Sequence, residues 1–77
     1  MEFIIVEFVH RREVLVDGIS HGYNREPNGE ERILQVAEGL HRIRLRGPDD
    51  YVPVWQLVEV RDTDSIDPLR VVFRKSM

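Results

Sequence analysis

Apolar residues recur at every second position along much of the chain, and a period of two assigns extended strands. Ile4, Val6 and Phe8 share one face of a first strand over 2–9. Phe3, Ile5 and Val9 share its other face, interrupted only by Glu7. A strand apolar on both sides calls for cover on both, from its own domain or from a second copy. Val14, Leu15 and Val16 make a second strand that ends in Asp17-Gly18, a turn in which glycine takes positive φ without a Cβ clash. A short third strand covers 19–23. Asn28-Gly29 in the loop that follows is the strongest hairpin signal in the chain. The fourth strand spans 32–37, with Leu34 and Val36 on its inner face. The fifth, over 41–46, has the cleanest alternation: His41, Ile43 and Leu45 on one side, Arg42, Arg44 and Arg46 on the other.

Gly47-Pro48-Asp49-Asp50 is a turn cluster. The longest predicted strand covers 51–60. Pro53 has no amide to donate and places that end at an edge or a bulge. A bulge near Gln56 would turn Tyr51 and Trp55 toward the core that Val58 and Val60 face. The last strand alternates Leu69, Val71 and Phe73 inward with Arg70, Val72 and Arg74 outward. No segment carries a convincing helical stripe. The pattern predicts one all-β domain over 1–77, a small antiparallel β-sandwich of six to seven strands.

Composition narrows the function classes. A chain of 77 residues supports one domain with a small core. With no cysteine, disulfides, thiolate nucleophiles and thiolate-held metals are excluded. No apolar run is long enough for a helical membrane span, and the N-terminal run lacks the basic start and small-residue cleavage site of an export signal. The chain as written is therefore expected in the cytoplasm, or outside it if it is part of a longer exported protein. A net charge of −3 argues against nucleic acid as a partner.

The pattern Val14-x-Val16-Asp17-Gly18-x-x-x-Gly22, followed by Val36-x-x-Gly39-x-His41-x-Ile43, Tyr51 and Val58-x-Val60, resembles the PEGA domain family over about 14–73. The motif that names that family has no counterpart in His10-Arg11-Arg12-Glu13, and Tyr23-Asn24 stands where it usually has threonine and proline. The resemblance implies a prealbumin-like sandwich and an accessory module rather than an enzyme. It carries no catalytic residues; Asp17, Gly18, Gly22 and Gly39 would be turn-formers.

Candidate chemistry lies in three places. Arg42, Arg44 and Arg46 should form a row with about 7 Å between neighbours, joined by Arg32 if its strand pairs alongside. Such a row holds phosphates or a partner's carboxylates, unless Glu31, Glu38 or Glu59 neutralises it across strands. Trp55 belongs to the core or, facing out with Tyr51, to a contact patch. Asp62, Asp64 and Asp67 invite a calcium reading, although Asp67 and Phe73 stand where the glycine and glutamate of an EF-hand loop belong. His10, His21 and His41 lack ligand-like spacing, and Ser20-His21, adjacent on a strand, diverge rather than meet as nucleophile and base. The sequence thus predicts a non-enzymatic accessory or protein-interaction module without a cofactor. It would engage a protein partner, or a second copy in a dimer, through a sheet face or through the first strand as a sheet edge. The alternative is a small-ligand or calcium-binding domain using the 62–67 loop.

Overall fold

The computed structural model describes residues 1–76. Nine strands occur in the order β1 (Glu2–Glu7), β2 (Glu13–Val16), β3 (Ile19–Tyr23), β4 (Leu34–Val36), β5 (Gly39–Leu45), β6 (Tyr51–Val52), β7 (Gln56–Val60), β8 (Leu69–Val72) and β9 (Arg74–Lys75). They form a three-stranded sheet β4-β1-β8, a four-stranded sheet β3-β2-β5-β7 and a small ribbon β6-β9. The arrangement is all-β and sandwich-like, with more strands than the six to seven expected. It is not wholly antiparallel, because β1 and β8 run parallel, with Ile4 opposite Leu69 and Val6 opposite Val71.

The period-two pattern fills the core. Ile4 and Val6 from the first sheet, with Phe8 just beyond β1, meet Val14, Val16, Ile43 and Leu45 from the second, and Leu34, Val36, Val60, Val71 and Phe73 also belong to the cluster. Tyr51 is buried among them, its ring edge-on to Phe8 at 5.9 Å and to Phe73 at 5.4 Å. Such edge-to-face pairs place a positive ring edge against a negative face.

Two expectations are corrected. β1 is the central strand of its sheet, paired with β4 on one side and β8 on the other, so it is not an edge for a partner to extend. Its second face is half-covered within one copy: Phe3 and Ile5 are partly buried, and the Phe3 amide donates to Thr63 Oγ1 at 2.8 Å, which holds the 61–68 loop against the strand. The single long strand over 51–60 is two. Val52-Pro53 is a cis peptide, and β6 and β7 are separated at 53–55. Tyr51 pairs with Lys75, whereas Gln56 pairs with Ile43 in the other sheet.

Asn24 is the one fully buried polar residue of the described chain. Its Oδ1 accepts the Arg12 amide at 2.7 Å and its Nδ2 donates to the His10 carbonyl at 3.0 Å. One side chain thereby fixes the connection between β1 and β2. Asn28-Gly29 closes a loop in which Gly29 N–H donates to Glu26 O, with a single bridge between Arg25 and Glu31, which is a loose hairpin with polar flanks.

Candidate interaction face

The inward side of β5 is spent on the core, so its alternate residues form the outer surface of the four-stranded sheet. Leu40, Arg42 and Arg44 are exposed there. Register brings β7 alongside: Leu40 lies opposite Glu59 and Arg42 opposite Leu57. On the other side Arg44 lies opposite Leu15, which is buried despite its outward parity. Leu40 and Leu57 are 61% and 57% exposed, a large share for aliphatic residues one strand apart on one face.

Trp55 adds to this surface. It is 48% exposed, outside the core, and the Arg42 guanidinium carbon lies 4.7 Å from its ring centroid. The break at 53–55 explains its direction. β7 begins at Gln56, whose Nε2 donates to the Val72 carbonyl at 2.6 Å, so the preceding residue is carried past the sheet rather than beneath it. A continuous strand with one bulge would have turned it inward.

The arginines of the row have different partners. Arg46 Nε pairs with Glu13 at 2.8 Å. Arg42 stacks on Trp55. Arg44 forms no ion pair among the described residues. Of the acids expected across from the row, Glu31 takes Arg70 and Glu59 takes Arg61, whereas Glu38, just before β5, forms no ion pair with the row or with any other described residue. Arg32 does not join. It precedes β4, which lies in the opposite sheet, and it pairs with Glu26 at 3.5 Å. Tyr51, a sequence candidate for the same surface, is buried in the core and contributes nothing to it.

A groove of about 430 Å³ opens where the row meets the β2–β3 turn, lined by Asp17, Gly18, Arg42, Arg44 and Leu57. Asp17 and Gly18 both take positive φ, 53° and 83°. The turn is tied to β5 by the Asp17 carboxylate, whose Oδ1 accepts the Arg42 amide at 2.9 Å and whose Oδ2 meets His41 Nδ1 at 2.6 Å. The Arg42 amide, then His41, hold the Asp17 pKa below its ordinary value. His41 Nε2 faces the Ala37 carbonyl at 2.7 Å. With an acceptor at each ring nitrogen, the doubly protonated imidazolium satisfies both, and Asp17, then Ala37, raise the His41 pKa. Sequence parity put His41 at the core margin, where it lies, but parity alone does not reveal its carboxylate partner on another strand.

The other features offer less. A second groove, of about 520 Å³, lies between Phe8–His10 and Val72–Lys75. Two of its cations are engaged internally: Arg25 donates to the carbonyls of Phe8 and Gly29, and Lys75 to Asp50. In the 62–67 loop, Asp64 Oδ1 accepts the amides of Ile66 and Asp67 at 2.8 and 2.7 Å, a turn-capping role. Among the described residues no three His, Asp or Glu side chains converge as a metal site, and Asp62, Asp64 and Asp67 are not brought together as one. Nor is any helix of the described chain long and apolar enough to cross a membrane. No family model, curated protein or solved structure matches the chain.

Proposed function

We propose that this protein is a non-enzymatic interaction module that binds a protein partner through the outer face of its four-stranded sheet. The observation that carries the reading is the exposure of Trp55, with Arg42 stacked on it and with Leu40 and Leu57 on the same face. Aromatic residues and arginine dominate binding energy at protein interfaces, especially when ringed by aliphatic contacts that exclude water. A stacked guanidinium keeps its in-plane N–H donors for a partner's acceptors while its face remains covered.

The PEGA-like reading belongs to the same proposal. Asp17, Gly18, Gly22 and Gly39 all have positive φ; this supports Asp17 and Gly18 as turn-formers and Gly39 as the entry to β5, whereas Gly22 lies within β3, where the β2–β3 register shifts. An accessory module of this kind needs turns that set sheet geometry and a surface that supplies specificity.

The test is affinity capture from a lysate with the wild-type chain and a Trp55→Ala/Leu57→Ala double variant, both checked for an unchanged fold by circular dichroism. The wild type should retain a partner that the double variant loses. Sedimentation equilibrium on the same samples distinguishes a second copy of the chain from a different protein. A partner retained equally by both chains would move the interface to another surface.

A further inference from the structure

We propose that the groove lined by Arg42 and Arg44 takes an extended acidic segment of the partner, with two carboxylates at alternate positions and an aliphatic residue beside them. The inference rests on the interaction-face reading and narrows it to a ligand chemistry.

Charge complementarity selects the occupant. Among the described residues Asp17 is the only carboxylate lining the groove, and its oxygens are bound to His41 and to the Arg42 amide. The His41 ring covers Oδ2 at 2.6 Å, which leaves that oxygen unavailable to the arginines. Glu13 and Glu59, elsewhere on the face, are paired with Arg46 and Arg61. Within the groove lining, Arg42 and Arg44 have no ion-pair partner among the described residues, in a chain whose net charge is −3. A locally positive patch on an acidic protein attracts a short anionic segment. A long polyanion such as RNA would also meet the negative remainder of the surface.

Spacing selects its form. Arg42 and Arg44 are two residues apart on one face of β5, so their backbones are separated by about 7 Å, the rise of two strand residues. An extended peptide running along β5 repeats that distance between its own alternate side chains. An acid-x-acid sequence therefore presents one carboxylate to each guanidinium, in a charge-assisted geometry that a single anion does not satisfy. Leu57, directly opposite Arg42, and exposed Leu40 provide the apolar ground for the neighbouring residue. A groove of about 430 Å³ accommodates a few side chains.

The experiment is selection of a displayed random-peptide library on the whole chain, with affinities then read from the fluorescence anisotropy of dye-labelled peptides. Arg44→Glu and Arg44→Gln alter an exposed side chain, and circular dichroism confirms that each variant folds. The expected peptides carry an acid-x-acid pair flanked by an aliphatic residue. They should bind about tenfold or more weakly to Arg44→Glu, with Arg44→Gln intermediate, and regain affinity for Arg44→Glu when one acid is replaced by lysine. Peptides that depend on Trp55 and Leu57 but lack paired acids, or ignore Arg44→Glu, overturn the acidic inference and leave the interaction face standing. Failure to select any peptide sensitive to Trp55→Ala/Leu57→Ala overturns both. Tighter binding of a single-stranded oligonucleotide at the same residues, with steep salt dependence, also overturns the acidic-peptide inference and assigns the face to nucleic acid.

Discussion

The Arg42 guanidinium covers one face of the Trp55 ring, the only tryptophan of the chain, at 4.7 Å. Trp55 fluorescence therefore reports on Arg42 without interference from a second indole. Arg42→Ala should uncover the ring, shift emission to longer wavelength and make it more accessible to iodide quenching. The stability loss should stay below about 1 kcal/mol, because exposed cation–π contacts are weak. Unchanged emission and quenching would mean that the two side chains do not stack in solution.

How far this face could be read from the sequence shows what periodicity encodes. The alternation in 41–46 put Ile43 and Leu45 inside and the arginines outside, and both sides are as expected. Parity says which face a residue occupies, but not which strand lies beside it. The neighbours of the row were therefore missed: Glu13 reaches Arg46, whereas Glu31 and Glu59 are engaged elsewhere. The apolar run of the first strand suggested an edge, yet in the sheet order it is a buried centre, because Leu34–Val36 and Leu69–Val72 flank it from distant parts of the chain. Trp55 was ambiguous for a local reason. One break at 53–55 reverses the inference from alternation, and only the separate pairings of Tyr51 and Gln56 locate that break.

Asn24 gave no signal in the sequence, since an asparagine beside a tyrosine is unremarkable in a loop. Its burial and its bonds to Arg12 and His10 predict a large cost of substitution. Asn24→Ala strands the Arg12 amide and the His10 carbonyl, and should lower the unfolding free energy by about 2 kcal/mol or more. Asn24→Asp should be nearly as harmful, because an ionised carboxylate has no hydrogen to donate to the His10 carbonyl. Urea denaturation measures both. A loss below about 0.5 kcal/mol for Asn24→Ala would show that water replaces the side chain.

The His41–Asp17 contact predicts a definite dependence of stability on pH. His41 has a raised pKa when folded, so its contribution is complete below its ordinary 6.5 and is lost as pH rises through the folded value. Asp17 has a lowered pKa, so its contribution is complete above its ordinary 3.8 and is lost as pH falls through the folded value. Between 3.8 and 6.5 both contributions are present. Glu2, Glu13 and Asp50 also have lowered values, through Thr63, Ser20 and Arg12 respectively, so the acid limb mixes several groups. The basic limb isolates the histidine more cleanly. Stability by urea denaturation should fall as pH rises above 6.5, and His41→Gln should flatten that slope. Asp17→Asn should move the His41 titration, followed by proton NMR of the ring, toward lower pH. A His41 titration unmoved by Asp17→Asn would remove the carboxylate as its cause.

Tyr51 supplies the last test, of how the sheet ends. β7 begins at Gln56, opposite Ile43, so no β7 residue lies opposite Leu45, two residues further along β5. The Tyr51 hydroxyl occupies that position: it accepts the Leu45 amide at 3.1 Å and donates to the Leu45 carbonyl at 2.8 Å. One phenol thus stands in for a missing strand, which explains a tyrosine in the middle of an otherwise hydrocarbon core. Tyr51→Phe keeps the ring and its contacts with Phe8 and Phe73 but leaves both Leu45 groups without a partner. The cost should be about 1–3 kcal/mol, the penalty of unsatisfied buried polar groups. Hydrogen exchange at the Leu45 amide should accelerate by more than exchange at Ile43, which retains its pairing with Gln56. Equal acceleration at both amides would show general destabilisation of the core, with no local bond from Tyr51.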